Sequence, residues 1–300
     1  MRSLDRFFAP VLVLQGDCVM FRVATQLLSS LTVLAVLVCS ATAEPADGTL
    51  QLQARSRAAL DDGTFQVQVE QLQWDPHKTA IVVCDMWDRH WCRTATERVG
   101  QMAPRMNDVI GRARQQGVLI IHCPSGCMDK YADTPQRRLA QQAPQVDTKI
   151  PLQGWCHLDA QREAPLPIDD SDGGCDTDPP CRTHRAWTQQ IDTIEIHEAD
   201  AITDSAEAYY LMRQRGIENV IVMGVHTNMC VLGRPFSIRQ MVYQGQNVVL
   251  MRDMTDSMYN PKLRPQVSHF RGTELVIEHI EKHWCPSVCS DELLKVHPPK

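Results

Sequence analysis

The sequence predicts an α/β fold with a doubly wound, mostly parallel sheet and helices on both faces. Short, continuous apolar runs of strand length alternate with stretches of helical spacing, and glycines stand at the joins. Thr79-Ala80-Ile81-Val82-Val83-Cys84 is the first such run. Its unbroken apolar character fits a strand covered on both faces. Arg98 to Gln116 follows, with Val99, Met102, Met106, Val109, Ile110 and Ala113 on one helical face and Gly117 as its stop. Val118 to Ile121 reads as the second strand and Thr193 to Ile196 as the third. A helix then runs from about Ser205 to Arg215. Val220 to Gly224 is the fourth strand, and the helix after it ends before Gly245. Val248 to Met251 and Leu275 to Ile277 complete the set. Pro235 cannot lie inside a regular helix, so Val231 to Arg234 is expected as a tighter turn before it.

Three segments fall outside this alternation. From Met20, Phe21-Arg22, the apolar Val23–Val38 and Ser40-Ala41-Thr42-Ala43 have the three parts of a secretory signal. Cleavage is expected after Ala43 and export to the periplasm or medium. The apolar part is shorter than the roughly 20 residues of a membrane span, so no stable span is expected after cleavage. An uncleaved anchor is the other reading, and Met20 is a candidate true start. Residues 44–78 are an N-terminal β extension. Leu50 and Leu52, then Phe65, Val67 and Val69, alternate with polar residues around the turn Asp61-Asp62-Gly63. Residues of about 124–190 form a long insertion in the domain of residues 79–300. The insertion is rich in Pro, Gly, Asp and Cys, as functional or cross-linked connections are.

Composition narrows the function. The 300 residues are 43% apolar and carry a net charge of −6, without a basic run. A polyanion needs a basic surface, so nucleic acid is excluded as the expected partner. Twelve cysteines are many for this length. In an oxidising compartment they are expected to pair in loops, with Cys175 and Cys181 in GGCDTDPPC and Cys285 and Cys289 in CPSVC as bridge sites. Zinc is the rival reading, but neither pair has the usual C-x2-C spacing with matching ligands, and no metal or cofactor is expected.

Two strand ends carry the chemistry. Asp85 closes the first strand in IVVCDMWDRHW, at the sheet edge where ligands bind in such folds. Cys230 follows the fourth strand in IVMGVHTNMCV, after a glycine-bearing turn into a helix. Unpaired N–H groups there favour a thiolate and can hold an oxyanion. A strand-end cap for Asp85, and a structural or disulfide-bonded thiol for Cys230, are the alternatives. Trp87 and Trp91 crowd the segment after Asp85, either stacking on a flat ligand or packing the core. His226 is a pocket contact or a turn filler. Arg252, Asp253 and Asp256 are read as the same rim or as a solvated loop.

The strand that ends in Asp85, the phrase RQRGIENVIVMGVHTNMCV and the later VVLMRDMTDSM resemble the isochorismatase-like cysteine hydrolases, which include nicotinamidases. The likeness spans roughly Thr79 to Ile280. It implies a six-stranded parallel sheet and a G-x-x-T-x-x-C signature, here Gly224, Thr227 and Cys230, with Asp85 as the acid–base residue. It also implies a cis peptide at Val225-His226, which would aim the N–H groups of His226 and Cys230 at an oxyanion. Members of the family commonly assemble, so the resemblance leaves a homo-oligomer open. The family places a catalytic Lys at the end of the third strand. That position, 33 residues before Cys230, holds His197, and no Lys lies between Thr193 and Cys230. The D-x-H metal site of nicotinamidases is also missing, since the position reads His122-Cys123-Pro124-Ser125. Asp88-Arg89-His90 has the spacing but follows the first strand. The expected activity is hydrolysis of an amide-type C–N bond of a small molecule through a thioester, with Asp85, Cys230 and His197 catalytic. Two other readings stay open: a nucleophile-independent isochorismatase-type reaction, and an exported binding module without catalysis.

Overall fold

The computed structural model describes residues 48–295, so the signal-like segment, its cleavage at Ala43 and the Met20 start lie outside the described residues. Among the described residues no helix is long and apolar enough to cross a membrane.

The elements in chain order are β1 (Leu50–Ala59), β2 (Phe65–Trp74), β3 (Thr79–Cys84), α1 (Arg93–Gln115), β4 (Leu119–Cys123), α2 (Met128–Tyr131), α3 (Pro135–Gln141) and β5 (Ala201–Ile202). They continue with α4 (Glu207–Gln214), β6 (Asn219–Val225), α5 (Cys230–Gly233), α6 (Ile238–Tyr243), β7 (Asn247–Asp256), α7 (His269–His283), β8 (Ser287–Val288) and α8 (Asp291–Leu294). The sheet order is β2-β1-β8-β7-β6-β3-β4-β5. From β8 to β5 every pairing is parallel, and the β1–β2 hairpin adds to β8 antiparallel. The expected six-stranded parallel sheet with an N-terminal hairpin is therefore the architecture observed.

β3 is buried along its whole length. Ile81 and Val83 face a core built with Val99, Met106 and Ile110 of α1. Ala80, Val82 and Cys84 face the other core, with Leu211 and Met212 of α4, Met241 of α6 and Ile280 of α7. Two apolar faces are what an uninterrupted hydrophobic strand requires. The chain winds outward from β3 through β4 to β5, then returns to lay β6 on the opposite side of β3. The strand order thus reverses between β3 and β6, and the crevice beyond their carboxyl ends is where such folds bind ligands.

Several boundaries differ from expectation. Thr193–Ile196 is not a strand; the short β5 comes later, at Ala201–Ile202, paired with Ile121 and His122. Leu275–Ile277 lies inside α7, where Thr273, Val276, Ile277 and Ile280 recur at helical spacing and Ser268 caps the start by accepting from Arg271 N. The sixth parallel strand is instead Ser287–Val288. In the hairpin, Leu50 and Leu52 are buried as expected. Phe65, Val67 and Val69 of the edge strand are exposed (39%, 45% and 64%). The helix after Cys230 is split into α5 and α6 around Arg234–Ser237, the break that Pro235 imposes. Arg252, Asp253 and Asp256 belong to β7 rather than to a loop: Arg252 donates to Ser287 O, and Asp253 accepts from Ser290.

Candidate active site

Strand register brings the two predicted chemical residues together. Cys84 pairs with Gly224, so the chain leaves β3 at Asp85 and β6 at Val225–His226 side by side. Gly224 has φ 110°, and a Cβ there would stand 2.0 Å from Cys84 O; only glycine lets the two backbones approach so closely. The Val225–His226 peptide is cis. Asp85 is held at φ 48°, a left-handed conformation that a non-glycine residue adopts at a cost. The hydrogen bonds Asp85 N to Cys123 O (3.0 Å) and Trp87 N to Asp85 O (2.8 Å) fix it there.

Asp85 is fully buried, and its Oδ1 accepts from Ser125 N at 2.8 Å. Its Oδ2 stands 3.4 Å from Arg234 Nε, and neither of these two atoms has another partner among the described residues. Cys230, 8% exposed, lies close enough for its thiol to feel the charges of both Asp85 and Arg234. Asp85, Cys230 and Arg234 thus cluster as base, sulfur and cation, the first two buried and the third half-buried. Burial raises the Asp85 carboxyl above its ordinary range, while Arg234 and the hydrogen bonds from Cys230 and Ser125 pull it back. Burial, then the Asp85 charge, push the Cys230 thiol well above its usual value, against Arg234. This corrects the expected thiolate: a four-residue helix cannot offset full desolvation beside a carboxylate, so the sulfur rests protonated. Burial disfavours charge on Arg234, yet Asp85 and Cys230 hold its pKa above the ordinary value.

Arg234 is the residue that the sequence reading missed. The family resemblance implies a cation upstream of Cys230, at His197. The only signal for Arg234 was a cation just before Pro235, on the turn where the helix must break. His197 lies elsewhere. It is about half exposed, bonds Glu195 at 3.1 Å and stands beside Asn107 and Arg114 of α1. Because β5 starts four residues after His197, the carboxyl edge of that strand is Thr203–Asp204, and His197 falls on the amino side of the sheet.

Backbone N–H groups adjoin these side chains. Thr227 N donates to Asp256 O, and Met229 N and Val231 N both donate to His226 O. Among the described residues the N–H groups of His226 and Cys230 meet no acceptor.

An aromatic wall adjoins Ser125, which donates to Asp85. Trp87 stacks on Trp187 with ring centroids 4.4 Å apart, and His90 stacks on Trp187 at 5.9 Å. His226 meets His90 edge-on at 5.0 Å. Trp87 is buried and donates from Nε1 to Ser125 O. Trp91 lies one layer out, against His90. Burial, with the neighbouring His90, depresses His226 to about 3. Burial and Arg98 depress His90 to about 4. Both rings are therefore neutral near pH 7. Trp155 covers Arg234 with its ring 5.5 Å from the guanidinium carbon.

Asp88 and His90 are not arranged as metal ligands. Asp88 accepts from Thr188 and Gln189 of the insertion, and His90 Nδ1 accepts from Cys92 N. Among the described residues no group of three or more His, Cys, Asp or Glu side chains could hold a metal. The ten described cysteines carry free thiols, including the expected bridge sites.

No family model matches the chain, and no curated protein matches it. Solved structures do. A cysteine hydrolase from Pseudomonas syringae pv. phaseolicola 1448A shares 16% identity over 73% of this chain and 92% of its own, with a TM-score of 0.45. An isochorismatase family protein from Burkholderia thailandensis shares 13% identity over 73% of this chain and 97% of its own (TM-score 0.41). A pyrazinamidase of Pyrococcus horikoshii, solved in complex with zinc, shares 15% over 71% of this chain and 99% of its own (TM-score 0.40). The chain is thus similar to structures that include members of the family its motifs resemble.

Proposed function

We propose that the protein is a cysteine hydrolase that cleaves an amide-type C–N bond of a small, uncharged substrate. The observation that carries this reading is the clustering of the buried Asp85 carboxylate and Cys230 thiol with the half-buried Arg234 guanidinium, 3.4 Å from Asp85. Asp85 and Arg234 balance in charge, and the surrounding wall is aromatic, so a neutral substrate suits the site.

In the resting state the proton sits on sulfur. When the substrate carbonyl enters, Asp85 removes that proton and Cys230 Sγ bonds to the carbonyl carbon. The free N–H groups of His226 and Cys230 face the resulting oxyanion. Arg234 keeps positive charge beside the carboxylate and the sulfur throughout, the part that the family assigns to a Lys. The raised pKa of Asp85 suits it to return the proton to the departing nitrogen as the C–N bond breaks. A water molecule, deprotonated by Asp85, then cleaves the thioester and restores the thiol.

The test uses a panel of small neutral amides and ureido compounds with ammonia release as the readout. Cys230→Ala is expected to lose at least about 10⁴-fold in kcat/KM with an unchanged unfolding midpoint. Undiminished turnover in that variant overturns the thioester route and points to a nucleophile-independent reaction. An inert wild type across the panel favours a binding module.

A further inference from the structure

We propose that Cys92 and Cys175 form a disulfide that staples the insertion to the start of α1, next to the aromatic wall. Their sulfurs are 2.9 Å apart, separated by 83 positions in the chain. A disulfide bond needs about 2.05 Å, so a small side-chain movement closes the pair.

The surroundings hold these two sulfurs together without the bond. Cys92 is the residue before α1, and Cys175 directly follows Gly173 and Gly174, at the exit of the turn closed by Gly173 N donating to Asp170 O. Asp176, next to Cys175, bonds Thr94 Oγ1 and Arg98 of α1 (2.8 Å to Nη1). Cys92, Ala95, Cys175 and Met258 form a small apolar core of their own, with Trp91, Cys181 and Met229 packed against it. Met229 precedes the proposed nucleophile, and the Trp91 ring lies against Gly173. A bond here therefore stiffens the setting of Trp91 and Met229.

The geometry also selects the partner. Cys181 was expected to bridge Cys175, but the Thr177 hydroxyl stands between them, 3.1 Å from Cys175 Sγ and 3.2 Å from Cys181 Sγ. The two members of the pair are unequal. Burial raises Cys175, but hydrogen bonds from Cys92, Thr177 and nearby amides bring it below the ordinary thiol value; burial pushes Cys92 up to about 11. The same disulfide forms whichever of the two sulfurs attacks first.

With a peroxide as oxidant the step balances. The Cys175 thiolate bonds to one peroxide oxygen, the O–O bond breaks, and the departing hydroxide takes up a proton to leave as water. The Cys92 sulfur then bonds to the Cys175 sulfur as the S–O bond breaks. The Cys92 proton leaves with that oxygen as a second water. Two thiols and one peroxide become one disulfide and two waters.

The test takes the full chain, reduced and then treated with graded hydrogen peroxide, with free thiols alkylated before tryptic digestion. The expected product joins the peptide His90–Arg93 to the peptide Glu163–Arg182, lighter than their sum by two hydrogens. Fragmentation between Asp178 and Pro179 assigns the link to Cys175 rather than Cys181. Cys181→Ser retains the link. Oxidation raises the Tm of the wild type by about 5 °C and leaves Cys92→Ser unchanged. A Cys175–Cys181 link, or Cys92 and Cys175 both recovered alkylated after oxidation, overturns the proposal. This outcome does not depend on the hydrolase reading, because no activity is measured.

Discussion

The floor and the roof of the site hold their residues in place by different means. The floor is the carboxyl edge of β3 and β6. There the ladder from Thr79 opposite Asn219 to Cys84 opposite Gly224 delivers Asp85 and the turn to Cys230 by register alone. The roof is the run from Pro124 to Asp200, irregular after α3, which contributes Ser125, Trp155 and Trp187. Side-chain bonds to scattered backbone groups hold it: Asp88 on Thr188 and Gln189, Gln240 on Gln153, Gln244 on Lys149, and the Tyr131 hydroxyl on Gln190. A buried His122 ties the two together through Gln190 Oε1 (3.0 Å) and Asp200 Oδ2 (3.1 Å). The floor is thus set by a periodic ladder and the roof by individual polar contacts. Changes in the floor should abolish chemistry, whereas changes in the roof should tune access and stability.

Arg234→Met breaks the floor most directly after Cys230. It leaves the Asp85 carboxylate buried without its cation, so kcat/KM is expected to fall about 10²- to 10³-fold. Unfolding free energy should fall by about 3 kcal/mol, and Arg234→Lys should recover part of both. Steady-state kinetics and urea titration read the two effects, and wild-type behaviour of the Met variant would remove Arg234 from the site.

Protonation tests the wall where floor and roof meet. His226 and His90 have folded pKa values near 3 and 4, below the ordinary 6.5 of the unfolded chain. Their contribution to stability is full above pH 6.5 and is lost as pH falls toward those values, because the unfolded chain then binds more protons. The slope is roughly 1.4 kcal/mol per pH unit for each ring. Denaturant midpoints measured from pH 7 to 5 should decline, and His226→Gln should have a shallower decline. A flat profile in the wild type would show that these rings are solvated.

Trp187→Ala sharpens the contrast from the roof. This half-buried ring stacks on Trp87, so its loss is expected to cost about 1–2 kcal/mol. KM should rise several-fold while kcat stays near wild type. A collapse of kcat instead would place the roof among the catalytic parts. His197→Ala is the smallest change, expected within about 0.5 kcal/mol of wild type in stability and unchanged in kinetics.

Much of the floor was legible in the sequence, for a physical reason. A strand covered on both faces must be apolar throughout, so β3, β4, β6 and β7 announce themselves, and their ends locate Asp85 and Cys230. Very short strands carry no such signal. β5 and β8 have two residues each, and the more hydrophobic stretches nearby, Thr193–Ile196 and Leu275–Ile277, were read as strands in their place. His197, placed by its distance from Cys230 at the end of an expected third strand, instead precedes β5.

By itself the sequence determined the alternation of strands and helices, the glycine at 224 and the helix break at Pro235. Each of these depends on neighbours a few residues away along the chain. Only the tertiary structure decided that Arg234 supplies the cation, that Trp187 stacks on Trp87 and that Cys92 rather than Cys181 faces Cys175. These contacts join residues whose side chains meet through the folding of an irregular segment, and such a segment has no periodicity from which its partners can be read.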